Sequence, residues 1–485
     1  MTIKDLKPTL IWQRFDDITK VPRPSKKEEK IRKFLTEFAA SRNIEIRTDE
    51  IGNIVYLIPA TKGYENAPVV ILQGHMDMVC EKNNDTVHDF DNDPIKTIVE
   101  GEWLRADGTT LGADNGIGCA AAMALVDDKD AIHGPIEALF TVDEETGLTG
   151  ACKLGKGMIT GSMLVNLDSE DEAEIFLGCA GGTDTTATTK FEYVPAPKDY
   201  YYAKVMVTGL RGGHSGMDID KGFANANKIM ARYAWNLMQK FDVVVSEIEG
   251  GNLRNAIARE ASITIGVPSS NKEDIVIEMN KLLAEVTGEF AKTEKPMLKA
   301  ETVDKPESII DTETITKIVQ FLYCCPHGVL SMSQEIAGLV ETSTNLASVK
   351  MNKETQEITI ATSQRSAVES LKWSAAHQIE ACFQLAGIKA THGDGYPGWA
   401  PNTESPILKI AVKAYEDLYG ITPACKALHA GLECGMFLEH NPALDMISFG
   451  PTLCDVHSPK ERIHIPAVDK FWNHLVRLLE MIAKG

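Results

Sequence analysis

The stretch IEALFTVDEETG, residues 136–147, runs from an apolar strand signal straight into three consecutive carboxylates. Ala138, Leu139 and Phe140 carry the segment into a core, so Asp143, Glu144 and Glu145 arrive there with charge of one sign. Such charge calls for a compensating cation. The same arrangement recurs along the chain. APVVILQGHMDM (67–78) has a continuous apolar run from Val69 to Leu72, the mark of a strand buried on both faces, and ends at His75 and Asp77. MLVNLDSED (163–171) ends at Asp168, and DMISFG (445–450) leads through a short loop to His457. Asp114, in TTLGADNG (109–116), precedes a helix signal rich in alanine. The order strand, helix, strand, helix, strand predicts an α/β layer with a mostly parallel sheet flanked by helices.

Outward from these strands the pattern changes. RPSKKEEKIRKFLTEFAA (23–40) reads as a helix start, with Ser25 and Glu28 spaced as a capping box and Ile31, Phe34, Leu35 and Phe38 on one face. From about residue 182 the strands alternate apolar and polar, as in YYAKVMVTGL (201–210) and QEITIATSQRS (356–366), and amphipathic helices separate them. The polar stretch AKTEKPMLKAETVDKPES (291–308) reads as an interruption. Buried-strand signals return after GDGYPGWAPNTESP (393–406). The predicted organisation is a discontinuous α/β domain, residues 1–181 and 393–485, with an α+β lid domain, 182–392, inserted in it.

Composition bounds the function. At 485 residues the chain exceeds one ordinary core. A net charge of −20 repels phosphate backbones and anionic lipid, so neither nucleic acid nor membrane is an expected partner. No apolar run suits a signal peptide or a membrane span. The ten cysteines are scattered without a CxxC pair, as reduced thiols in a cytoplasmic protein would be.

In open α/β sheets ligands bind outside the carboxyl ends of the strands, so His75, Asp114, the glutamates, Asp168 and His457 should converge there. Taken singly, each has a structural explanation, such as a satisfied histidine or a helix cap. A cap does not explain several buried strands that all end in His, Asp or Glu. Two histidines with three carboxylates suit zinc or a related transition metal, since calcium and magnesium prefer oxygen shells. Five ligands exceed the needs of one catalytic zinc and fit a pair sharing one carboxylate. Such a pair activates a bridging water, and hydrolysis then needs a nearby uncoordinated carboxylate as base.

Together GHMDMV, GADNG, DEETG, NLDSED and CDVHSP resemble the dinuclear zinc metallopeptidases that include carnosinases, aminoacylases, carboxypeptidase G and the peptidase-T-like tripeptidases. The resemblance spans the whole chain. It implies His75 and Asp168 on one metal, Glu145 and His457 on the other, and Asp114 bridging. It further implies two Zn2+ per subunit, with Co2+ or Mn2+ as possible substitutes. Glu144 matches the family's general base, and Asp77 the carboxylate that orients the His75 imidazole. A cis peptide often follows the bridging aspartate in the family, here Asp114–Asn115. His214 in GLRGGHSG matches a histidine that stabilises the oxyanion, often from the partner subunit. Asn255 in GGNLRNAIA and Arg365 in ATSQRSA match groups that hold the substrate's carbonyl and carboxylate. His429 and Glu433 in LHAGLECGMF are read as supporting groups.

The resemblance thus implies a cytosolic metallo-dipeptidase of unblocked dipeptides, Xaa-His substrates such as beta-alanyl-histidine above all, dimeric through its inserted domain. A metal-bridging hydroxide with a glutamate base would carry the reaction. Rival readings are a tripeptide aminopeptidase, an N-acyl amino acid deacylase, or a non-catalytic metal- or peptide-binding protein. No GxGxxG opening a helix and no GxSxG elbow occurs in the sequence.

Overall fold

A computed structural model describes residues 2–485. The chain divides into two compact units. The first comprises residues 1–179, 399–427 and 432–485, and the second 180–398 and 428–431. The segment after residue 392 stays with the second unit because its backbone pairs there. Gly393 donates to the Asp184 carbonyl, while Gly182 and Tyr396 exchange amide-to-carbonyl bonds in both directions.

The first unit is organised on an eight-stranded sheet. Its centre runs Ile136–Thr141, Val70–His75, Met163–Asn166 and Asp445–Ser448, all parallel. Antiparallel strands flank this core, Ile54–Ile58 and Glu45–Thr48 on one side and Glu174–Cys179 on the other. Val70–His75 and Ile136–Thr141 are buried along their whole length, which explains why they read as continuous apolar runs rather than alternating ones.

The alanine-rich helix Ala113–Asp127 packs on Val70–His75 and on the helix Thr9–Thr19. Its small residues allow a close approach. A Cβ on Gly118 would lie 2.7 Å from the Leu167 carbonyl, a contact too short to hold. The Asn115 amide donates to that same carbonyl at 2.6 Å, so the helix start is drawn against the residue preceding Asp168.

The second unit carries a nine-stranded sheet that includes Gly181–Lys190, Tyr200–Thr208, Ala261–Pro268, Val340–Asn352 and Glu357–Ser366, antiparallel at each pairing. The polar stretch 291–308 is no simple interruption. It contains the strand Met297–Thr302, which pairs with Tyr200–Thr208 at the sheet's edge and reads as polar because alternate residues face solvent. Among the described residues no helix is long and apolar enough to cross a membrane, and all ten cysteines are free thiols.

The helix Ile465–Lys484 closes the first unit, burying Val468, Phe471, Leu475, Leu478 and Ile482 at helical spacing. His474 lies within this apolar face. Its Nε2 donates to the Ala411 carbonyl at 2.8 Å, and its ring centre lies 4.4 Å from that of Phe449. Burial pushes its pKa down to about 4. The unfolded chain protonates this ring near pH 6.5 and the folded chain only near 4, so between those values the unfolded state binds more protons. Stability should therefore fall as pH drops through this window. In denaturant titrations His474→Gln should flatten that limb by on the order of 2–3 kcal/mol.

Candidate functional site

At the carboxyl ends of the parallel strands the five donor residues converge as expected from the sequence. His75 Nε2 lies 3.0 Å from Asp114 Oδ1 and 3.6 Å from Asp168 Oδ1. His457 Nε2 lies 3.0 Å from Asp114 Oδ2 and 3.0 Å from Glu145 Oε2. Two sets of three donors thus share Asp114, one oxygen to each set. The Asp114–Asn115 peptide is cis. His457 is held at a φ of 58°, in the left-handed region, by the turn that aims its ring.

The electrostatics describe a site built for cations. Burial works against the protonated His75 ring, but Asp168, Asp114 and Asp77 outweigh it and raise its pKa well above the usual value. Hydrogen bonds to Asp114 and Glu145 push His457 up to about 11. Burial raises Asp168 to about 7. Glu145 Oε1 is buried without a hydrogen-bond partner among the described residues. Imidazole nitrogens facing carboxylate oxygens, with a buried carboxylate oxygen left over, fit a pair of borderline divalent ions.

The two adjacent glutamates are separated by the backbone that carries them. Asp143 takes up a left-handed conformation, φ 50°, and starts the short helix Glu144–Gly147. Asp77 caps this helix from outside: its Oδ1 accepts the Glu144 amide at 3.1 Å and its Oδ2 the Glu145 amide at 3.3 Å. Asp77 Oδ1 also stands 3.4 Å from His75 Nδ1, so one carboxylate sets both the ring and the glutamate turn. Glu144 itself is pushed well above the usual carboxylate range by burial, with Asp168, Glu433 and Glu145 adding to the effect against His75. Asp143 accepts the hydroxyls of Thr146 and Thr149 and so locks the turn.

Ser25 and Glu28 do not form the predicted capping box. The helix begins at Glu29 without a side-chain cap, because both residues are engaged elsewhere. Ser25 donates to Asp77 Oδ2 at 2.8 Å, and Glu28 Oε1 accepts the Asp143 amide at 3.1 Å. These bonds anchor the turn that carries the glutamates.

Two further residues escape the sequence reading. Glu461 is buried and accepts the amides of Leu111, Gly112 and Ala113 at 2.7–2.9 Å and that of Asp114 at 3.3 Å. Arg23, also buried, donates to the carbonyls of Met76, Asp77 and Gly112. Together they fix the loop before Asp114 against the loop after His75. Glu433, raised to about 8 by burial, accepts from Gln73 at 2.5 Å and Thr141 at 2.9 Å, in keeping with a supporting role.

His214, Asn255 and Arg365 belong to the second unit. The Ser215 amide donates to the Asn255 carbonyl at 2.8 Å, which joins the two predicted loops. His214 and Asn255 line a cleft of about 760 Å³ within this unit. His214 Nδ1 accepts the amides of Gly216 at 3.2 Å and Met217 at 3.1 Å, so the ring proton resides on Nε2. Burial and the Arg365 charge lower its pKa and keep it neutral. Arg365 Nη1 donates to the Tyr396 hydroxyl at 2.7 Å, and His429 Nε2 pairs with Ser343 Oγ at 2.7 Å.

A discontinuous α/β unit with two donor sets sharing one aspartate defines a metal-dependent peptide hydrolase. The chain belongs to peptidase family M20/M25/M40, which it matches over residues 71–481. It is 39% identical over 482 residues, 99% of each chain, to the cytosol non-specific dipeptidase of Escherichia coli (strain K12). It superposes on the crystal structure of aminoacylhistidine dipeptidase from Vibrio alginolyticus with a TM-score of 0.93 and 40% identity, covering 99% of this chain and 98% of that one. A tripeptidase from Staphylococcus aureus shares the fold, with a TM-score of 0.57 at 15% identity over 99% of this chain and 100% of that one.

Glu461→Ala removes the acceptor for four backbone amides while leaving every candidate donor in place. Zinc affinity, read by competition with a chromogenic chelator, should fall about 10–100-fold.

Proposed function

We propose that the protein is a cytosolic dipeptidase that holds two zinc ions per subunit and cleaves unblocked dipeptides. The observation that carries this reading is Asp114, whose two oxygens face the Nε2 atoms of His75 and His457 at 3.0 Å each. His75, Asp114 and Asp168 hold one ion in this reading, and His457, Asp114 and Glu145 the other. When bound, the pair supplies Lewis acidity at the scissile carbonyl and lowers the pKa of the attacking water.

This chain's own groups do the rest. Glu144, next to the sites but outside both donor sets, takes the water's proton and delivers it to the departing amine. Asp77 holds Glu144 and His75 in register through the bonds described above. His214, neutral with its proton on Nε2, donates to the oxyanion. Asn255 and the Arg365 fork receive the substrate's carbonyl and terminal carboxylate. The inserted domain serves as lid and as the surface of a homodimer.

The two relatives at 39% and 40% identity are both dipeptidases, which favours that class over a tripeptidase or deacylase. The name of the Vibrio protein supports an Xaa-His preference, and that of the Escherichia coli protein supports a broader range. A panel of free dipeptides that includes beta-alanyl-histidine, with an N-acetylated control, tests this. Faster cleavage of the N-acetylated substrate would overturn the dipeptidase reading. Glu144→Gln should lower kcat by about 10²–10⁴-fold while metal analysis shows both ions retained. Chelation should abolish turnover, and zinc or cobalt should restore it.

A further inference from the structure

A third cluster of metal-binding side chains lies in the second unit. His377 and Glu380 stand three residues apart on the helix Glu369–Leu385, and His392 ends the neighbouring edge strand Ala390–His392. One donor atom from each lies within 4.8 Å of the other two. Two imidazoles and a carboxylate form a donor set suited to zinc.

The tautomer of His392 follows from a chain of hydrogen bonds in the sheet beneath it. Thr362 donates its hydroxyl proton to the Thr185 carbonyl at 3.1 Å, so its Oγ1 accepts from the Gln364 amide nitrogen at 2.7 Å. Gln364 Oε1 therefore faces Thr185, whose hydroxyl donates to it at 2.7 Å. With its one proton committed, Thr185 Oγ1 is an acceptor toward His392 Nδ1 at 3.0 Å. The proton of the neutral ring is thus on Nδ1, and Nε2 carries a lone pair.

That lone pair faces Glu380 Oε2 across 3.2 Å. Two lone pairs at this distance require a positive charge between them, either a proton or a metal ion. Metal–ligand bonds of about 2.0 Å set tetrahedral donors roughly 3.3 Å apart, which matches the observed gap. The other Glu380 oxygen accepts the Gln384 amide at 3.2 Å, which orients the carboxylate. His377 is exposed, and its ring centre lies 5.7 Å from that of His392 and 5.9 Å from that of Trp373, at the open side of the cluster. Thr185 and Gln364, which fix the His392 ring, are fully buried, so the strand side of the cluster is preorganised.

We propose that His377, Glu380 and His392 form a zinc site separate from the donor sets around Asp114. Its effect is mechanical. The ion clips the helix Glu369–Leu385 to the edge strand and closes the turn between them, leaving a coordination position for water.

Equilibrium dialysis of the whole protein against micromolar Zn2+, followed by metal analysis, tests the proposal. Wild type should retain one zinc per chain more than His377→Ala or His392→Asn, with dipeptide turnover the same in all three. Glu380→Gln keeps the side-chain shape and guards against a truncation that unfolds the helix; it should weaken this third zinc at least 10-fold. Equal zinc content in wild type and all three variants would overturn the proposal and identify the His392–Glu380 contact as a proton-mediated ion pair.

Discussion

Asp114 presents one oxygen to His75 and the other to His457, and the carboxylates around it can share that space only if positive charge lies among them. Two like charges about 4 Å apart at an effective dielectric of 20 repel by about 4 kcal/mol. Here Asp168, Glu144 and Glu433 all sit at or beyond the top of the carboxylate range, each chiefly through burial. The loops before Asp114 and after His75 must therefore be held by bonds that do not depend on the donors themselves. Glu461 and Arg23 supply those bonds from the flanks. The donors remain free to face the cations.

The separation of the Glu144 and Glu145 side chains has its origin in the backbone. The left-handed turn at Asp143 starts a one-turn helix, and Asp77 accepts both of its leading amides. Neighbouring residues at the start of a helix point about 100° apart. One glutamate thus reaches His457 while the other stays out of both donor sets. Had the strand simply continued, the two side chains would have pointed to opposite faces of the sheet.

The α/β core was legible because its strands carry continuous apolar runs with a polar residue at the carboxyl end, as in Val70–His75 and Ile136–Thr141. What stayed hidden had partners far off in sequence or partners with no side-chain signature. Ser25 and Glu28 have capping-box spacing, yet their partners lie 52 and 115 residues away. Glu461 and Arg23 bond to peptide groups, which every residue offers, so no pattern marks them. The edge strand Met297–Thr302 was obscured by its exposure, since alternating polarity in a charged stretch also describes a loop. The donor residues could be read together because their chemistry is rare; their supports could not, because backbone acceptors and donors are common.

The strand Asp445–Ser448 lies between Met163–Asn166, which it joins in parallel, and Glu174–Cys179. On the ribosome, those two earlier strands emerge some 270 residues before the one that fills the slot between them. Until then the sheet has a vacant groove with unpaired backbone on both walls, a template for illegitimate strand pairing. His457 and Glu461 follow 9 and 13 residues after Ser448. Assembly of the sheet and completion of the site are therefore a single late event in biosynthesis. A nascent chain that stalls between the two halves lacks His457 and leaves that groove open to other chains.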